Sequence, residues 1–369
     1  MKVYKLFISI VLIISISSFF LSGVRRESVE KLAINSAIGY DLEENAQGIK
    51  IRSATASRYM VTENEVESMN VTSRGRTIPE LREERQRKLD KKILLGLEKV
   101  YIISDEYARY GIKDIMDSFF RNPDVKDSTL LCICEGKAED IMNTKLEGYP
   151  SAGDYIEGLI RYSRELNFFP DNYKLIDAYL RLDAEGRNLV LPYIKVEENT
   201  IVISGLALFK EDKMVGLLPM GRTKQHNVLR ENNLMGLITI QENSDKYLGI
   251  YGKSKRKVKC YKENDKYRFV INLKITGDII TNEYEAMLIN KPDKKKEAED
   301  KLKANLEKEL RAFLENLKSE YKVDTLELGR VAAAKYGRKT GVDWNEIVSN
   351  SEIDVNVTVK IAKFGRGDY

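Results

Sequence analysis

Chemistry by a protein needs a nucleophile beside a base, a set of metal ligands or a placed pair of carboxylates, and this 369-residue chain offers few residues in such patterns. His226 is the sole histidine and lies in the polar stretch Arg222-Thr223-Lys224-Gln225-His226-Asn227. Alone it completes no triad, and it reads as a surface side chain. The three cysteines are Cys132, Cys134 and Cys260. Cys132 and Cys134 stand two apart in Leu130-Leu131-Cys132-Ile133-Cys134, so a strand would point both to one face. With one histidine no Cys/His zinc spacing can be built, and the thiols read as small buried hydrophobes. Gly205 and Gly216 read as hairpin glycines and Gly221 precedes a basic stretch, so no phosphate-cradling loop is present. The expectation is no enzyme: no catalytic, cofactor-binding or metal-ligating residue.

One basic pattern stands out: Lys253, Lys255, Arg256, Lys257 and Lys259, interleaved with Val258 and Cys260. It fits a solvated strand face; the functional alternative is attraction to anionic lipid headgroups, at about 1 kcal/mol per basic residue near the surface. Nucleic acid is not an expected partner, because 61 Lys+Arg against 57 Asp+Glu leave a net charge of only +4.

The first residues read as an address. Lys2 and Lys5 precede an uncharged, mostly apolar run of 19 residues, Leu6 to Val24, that closes as Leu21-Ser22-Gly23-Val24 before Arg25-Arg26-Glu27. A basic start, an apolar middle and a small-residue end make a secretory signal peptide. Leu-Ser-Gly resembles the lipobox of bacterial lipoproteins, but Val24 occupies the position of the acylated cysteine, so no lipidation site is expected. Three readings stay open: an uncleaved anchor, cleavage followed by release or another tether, and an anomalous start. In all of them the body after residue 24 is exported or membrane-bound.

The body reads as α+β and multi-domain. Leu32 to Arg58 is strand–turn–strand. Thr77-Ile78-Pro79-Glu80 is a capping box opening a helix through about Ile93. Val100 to Ile103 and Thr129 to Cys134 read as buried strands. Between them lies a helical stretch capped by Ser104 or Asp105 and broken at Gly111. A short helix is expected over residues 137–143 and a longer helical segment over 154–182. Beyond Pro192, hairpin strands are expected at Ile201 to Phe209 and Met214 to Leu218, and further strands at 237–241, 257–261 and 268–276. From about Asp293 to Tyr321, Ala298, Leu302, Leu306, Leu310, Phe313, Leu314 and Leu317 recur at steps of three and four, with Glu307 on the polar back. Ile353, Val355, Val357, Val359 and Ile361 alternate with polar residues as a strand. The second half therefore reads as an antiparallel sheet backed by a long helix. The expected division is a 1–24 signal or anchor segment, an N-terminal mixed α/β part at 25–197 and a C-terminal part at 198–369.

These residues carry a family resemblance. Leu21-Ser22-Gly23 with Arg25-Arg26-Glu27, Ala33-Ile34, Gly39-Tyr40-Asp41, Gly75-Arg76-Thr77-Ile78 and Lys99 to Ile103 open it. Arg121-Asn122-Pro123-Asp124, Glu135-Gly136-Lys137-Ala138, Ser204 to Phe209, Val323-Asp324, Leu328-Gly329, Trp344 and Val355 to Ile361 complete it in order. The chain resembles the Ger(x)C spore germination proteins, C subunits of germinant receptors (GerAC, GerBC and GerKC types). The resemblance implies a lipoprotein-like subunit on the outer face of the spore inner membrane, made during sporulation and working beside A- and B-type subunits. It implies a multi-domain α+β fold, no enzymatic activity and no cofactor. Two departures are Val24, for the lipidated Cys, and Gly96-Leu97-Glu98-Lys99, where the family usually reads Gly-His-x-Lys. The reading from residues alone leaves a second class open, an exported solute-binding protein; such a protein should show a concave pocket with converging polar groups.

Overall fold

In the computed structural model, which describes residues 2–22, 28–63, 65–264, 266–283, 292–338 and 341–363, the chain begins with helix α1 (Lys2–Ser22). A nine-stranded sheet follows, built from β1 (Leu32–Glu44), β2 (Lys50–Val61), β3 (Val66–Gly75), β4 (Lys92–Leu94), β5 (Val100–Ser104), β6 (Leu130–Cys134), β7 (Val190–Glu197), β8 (Thr200–Lys210) and β9 (Lys213–Pro219). Its order is β3-β2-β1-β5-β6-β7-β8-β9, with β4 beside β1. The inner four, β1, β5, β6 and β7, pair in parallel, and antiparallel strands extend both ends. β5 and β6 are unbroken apolar runs because both of their faces are covered; every residue in them is buried, Cys132 and Cys134 included.

Helices α2 (Ile78–Arg87), α3 (Asp105–Tyr110), α4 (Lys113–Phe120), α5 (Ala138–Asn143), α6 (Ala152–Tyr162) and α7 (Leu175–Asp183) connect these strands. The caps are local. Thr77 Oγ1 accepts the Glu80 N–H at 3.4 Å and Ser104 Oγ accepts the Tyr107 N–H at 3.3 Å. Gly111, at φ 130°, ends α3 where a residue with a Cβ would be strained. The helix expected to run through Ile93 stops at Arg87, because Lys92–Leu94 pairs in parallel with Leu32–Ile34 of β1. The segment expected to be helical from 154 to 182 divides into α6 and α7. The chain between them turns at Phe168, whose N–H donates to the Met235 carbonyl. β7 and β8 form a hairpin across residues 197–200, so the chain on both sides of the expected boundary near Glu197-Asn199 belongs to one sheet.

The second sheet holds β10 (Met235–Asn243), β11 (Lys246–Glu263), β12 (Lys266–Asn282) and β13 (Glu352–Ile361) in that order. The first three pair antiparallel; β13 joins β12 in parallel, and the β8–β9 hairpin belongs to the first sheet, two departures from the antiparallel sheet expected for the second half. Helices α8 (Met220–Arg230), α9 (Pro292–Asn316), α10 (Leu328–Tyr336) and α11 (Trp344–Ser349) complete the fold. Leu302, Leu306, Leu310, Phe313 and Leu314 of α9 are buried, as are Val355, Val357 and Val359 of β13, and all join one apolar core with the first sheet. Glu307 corrects the sequence reading. Rather than idling on the polar back of α9, its carboxylate accepts the Val357 N–H at 3.0 Å, and Glu299 does the same for Ile361 at 2.8 Å. The helix thereby supplies acceptors to the free edge of β13, which would otherwise invite another strand.

Candidate functional site: a buried ionic junction and an acidic-rimmed apolar groove

His226 is not on the surface. It lies on α8 with 0 % exposure, its ring 6.3 Å from that of Phe313 and Nδ1 3.1 Å from Asn227 Oδ1. Burial first, and the Arg230 charge second, push its pKa down to about 3, so it is neutral. The polar stretch containing it is helical because α8 is wedged against the core and turns Val228 and Leu229 inward. Arg256 is also misplaced by the sequence reading. Successive strand residues alternate faces; Lys253, Lys255, Lys257 and Lys259 are exposed, whereas Arg256 points inward with 8 % exposure. Val24 lies outside the described residues. Among those described, no helix is long and apolar enough to cross a membrane. The side chains of α1 from Tyr4 to Ser17 are all exposed, and the uncharged run beginning at Leu6 continues past the last of them.

Arg256 and Arg230 belong to an ionic junction that sequence reasoning missed. At its centre Glu327, 6 % exposed in its side chain, stands within 3.2 Å of Arg181 Nε, 3.3 Å of Arg187 Nε and 3.2 Å of Arg330 Nε. Arg230 Nη2 donates to it at 3.2 Å. Glu231 accepts from Asn172 at 2.7 Å, Arg230 at 3.2 Å and Arg181 at 3.3 Å. Burial would raise the Glu231 carboxyl, but Arg230 and Arg181 hold it below its ordinary value. Arg230 also donates to the Thr325 carbonyl at 2.6 Å, and Arg256 to the Arg230 and Leu326 carbonyls at 2.7 and 2.9 Å. Burial pushes the Arg256 guanidinium down to about 10. Asp324 accepts the N–H groups of Leu328 and Gly329 at 3.0 and 2.6 Å, yet its burial raises it to about 6. Gly186, at φ 69°, lets the backbone before β7 approach α10 closely enough for its carbonyl to accept the Arg330 N–H at 3.0 Å. Asn172, Arg181, Gly186 and Arg187 come from the N-terminal half and the remaining groups from the C-terminal half, so the junction ties the two together. A buried charge stripped of its partner costs several kcal/mol.

The surface offers a different kind of site. Where α4, α7 and the β8–β9 turn meet, a groove of about 740 Å³ is floored by Met116, Phe120, Ile176, Tyr179, Leu180 and Leu182. Phe120 is 74 % exposed, Leu180 52 % and Ile176 40 %. Phe120 and Tyr179 pack edge to face at 5.3 Å, and the buried Tyr179 hydroxyl has no hydrogen-bond partner among the described residues. Asp117, Asp183, Glu211 and Asp212 rim the groove against a single cation, Lys113. A larger groove, of about 850 Å³ beside β3, is lined mostly by polar groups, and its Asn70 amide is already engaged with the Met142 carbonyl and Asn143 Oδ1 at 2.7 and 2.8 Å. Among the described residues no group of three or more His, Cys, Asp or Glu side chains is placed to hold a metal ion.

Two family models match successive stretches of the chain. Residues 25–196 match the model of the spore germination protein N-terminal domain, and residues 204–365 match that of the spore germination B3/GerAC-like C-terminal domain. The chain is 22 % identical over 361 residues to spore germination protein GerQC of Bacillus cereus, covering 96 % of this chain and 98 % of that one. It is 24 % identical over 320 residues to spore germination protein B3 of Bacillus subtilis, covering 81 % and 82 %. The crystal structure of the GerBC protein shares the α+β fold, with a TM-score of 0.56 and 18 % identity over 89 % of this chain and 98 % of that one. With both domain models spanning nearly the whole body, the chain belongs to the Ger(x)C family of spore germination proteins, the C subunits of germinant receptors.

Proposed function

We propose that this chain is a non-enzymatic, membrane-associated C subunit that supports a nutrient germinant receptor through protein contacts with its A- and B-type subunits on the outer face of the spore inner membrane. The observation carrying this reading is the groove of Phe120, Ile176, Tyr179 and Leu180. Phe120, Ile176 and Leu180 stand exposed together there, as at a surface awaiting a protein. Its acidic rim selects a partner segment with apolar and basic side chains. The solute-binding alternative receives less support, because the Asn70 amide N–H groups of the larger groove are already engaged with Met142 and Asn143. In this reading the parts 25–197 and 198–369 act as one body, which the shared sheet and the junction around Glu327 favour. The exposed apolar side chains of α1 favour retention of that segment at the membrane without an acyl chain.

Phe120→Asp combined with Leu180→Asp tests the contact. Both positions are exposed, so the melting temperature should hold while recovery of A- and B-type subunits with the protein from spore membranes falls. Undiminished recovery would contradict the proposal.

A further inference from the structure

The second sheet has one face covered by α9 and one face open. On the open face β11 presents Lys253, Lys255, Lys257 and Lys259, all exposed. β12 adds Lys274, directly across from Lys255, and β13 adds Lys360, across from Thr276. Asn272, Thr276, Asn356, Thr358 and Val270 fill the positions between, and carboxylates stand at the ends, Asp278 at one and Asp354 and Glu352, beside Arg268, at the other. Asp354 is already engaged by Arg268 at 2.6 Å. Among the described residues none of the six lysines has an ion-pair partner. At the ordinary strand spacing and rise these charges occupy a flat patch of roughly 20 by 10 Å. With Arg268, Asp278, Asp354 and Glu352 included, the face carries a net charge equal to that of the whole chain, +4, so the chain's excess positive charge is gathered here.

Folding gains nothing from this arrangement, since like charges directly opposite one another on a sheet are destabilising. We propose that the open face of the second sheet rests on an anionic lipid surface. Protein interfaces are anchored by buried aromatic residues and arginine and are depleted in lysine. Here the unpaired charges are all lysines, the one arginine of the face, Arg268, is held by Asp354 and Glu352, and the intervening neighbours are Thr, Asn and Val270. Ammonium groups on long flexible stems suit a fluid layer of phosphates, which demands the right sign of charge rather than fixed geometry. The proposal rests on the membrane placement given above.

The test uses the full chain with vesicles of phosphatidylcholine, alone or with phosphatidylglycerol as one third of the lipid. Wild type should favour the anionic vesicles, and salt should erase that preference. Each lysine lost should weaken binding to anionic vesicles about fivefold. Lys255→Gln, Lys257→Gln and Lys274→Gln together should therefore lower it on the order of a hundredfold. Binding to neutral vesicles, set by α1, should not change. A matched variant, Lys303→Gln, Lys308→Gln and Arg311→Gln on exposed positions of α9, should keep the preference. Equal losses from both triple variants would reduce the effect to net charge and overturn the proposal, as would an undiminished preference in the first variant. Wild type bound to neither vesicle would overturn the membrane placement and this proposal together. Neither result touches the partner contacts at the groove, which are read by co-purification.

Discussion

Replacing Glu327 by Gln keeps the size of the side chain and the left-handed backbone at φ 55°, and removes only the charge. What remains is a set of guanidinium groups without their shared carboxylate: Arg181, Arg187 and Arg230, with side chains 8, 21 and 4 % exposed, and Arg330 at 47 %. Arg330 is well solvated, and its pairing is worth at most about 1 kcal/mol. The buried pairs decide the outcome, and breaking one costs about 3–5 kcal/mol. Glu231 still faces Arg181 and Arg230, which favours the lower end, about 3 kcal/mol. At about 2–4 °C per kcal/mol for a large domain, the melting temperature should fall by roughly 6–12 °C. Because the junction joins the two halves, the unfolding transition should also broaden or split. The assay is thermal unfolding followed by circular dichroism and calorimetry, with Arg330→Gln as the exposed control. A Glu327→Gln protein melting within about 1 °C of wild type would refute the claim that this junction holds the halves together.

Leu310, 0 % exposed on α9, should cost about 2–5 kcal/mol when cut to Ala. Denaturant unfolding should show Lys308→Ala near wild type and Glu307→Ala in between, since only Glu307 holds the β13 edge; equal effects at Leu310 and Lys308 would mean the helix phase is wrong. The buried His226 and Asp324 should act in opposite directions with pH. His226 titrates near 6.5 unfolded and about 3 folded, so the unfolded chain binds the extra proton, and stability is lost as pH falls from 6.5 towards 3, by up to about 1.4 kcal/mol per unit. Asp324, at 3.8 unfolded and about 6 folded, binds its proton more readily in the fold and adds stability as pH falls through that window. Denaturant midpoints measured against pH should therefore show a shallower acid loss in His226→Gln and a steeper one in Asp324→Asn; curves parallel to wild type would count against both. At Val24, fatty-acid labelling should give no incorporation and N-terminal sequencing should find residues before 24; label, or a mature start near 24, would reverse the corresponding half.

Much of the scaffold was legible because its signals are local. β5, β6, β8 and β12 are apolar or alternating runs, and α9 and β13 carry unambiguous periods. Thr77, Ser104 and Gly111 mark helix ends by their own chemistry. β3 carries no such signal because only Val71 and Ser73 of it are buried, too few to give a hydrophobic period. The alternating faces of β11 carried a usable signal: Arg256 differs in parity from its neighbouring lysines, and that alone separates it from the exposed set. The junction had none. Arg181, Arg230, Arg256 and Glu327 are far apart in sequence, each resembles an ordinary surface charge, and only the packing of α7, α8, β11 and the segment before α10 brings them together. Glu307 was misread for a similar reason, since the strand edge it serves is formed by residues far downstream.

The central claim, that this chain supports a germinant receptor through protein contacts, is tested most directly in spores lacking it. Nutrient-triggered and receptor-independent germination are compared, with A- and B-type subunit levels measured in parallel, after restoring either the wild-type chain or the Phe120→Asp, Leu180→Asp chain. The account predicts that deletion abolishes the response to this receptor's nutrients and leaves receptor-independent germination intact. Wild type should restore the response and the groove variant should not. A normal response to every nutrient in the deletion strain, with no other C subunit to compensate, would contradict it.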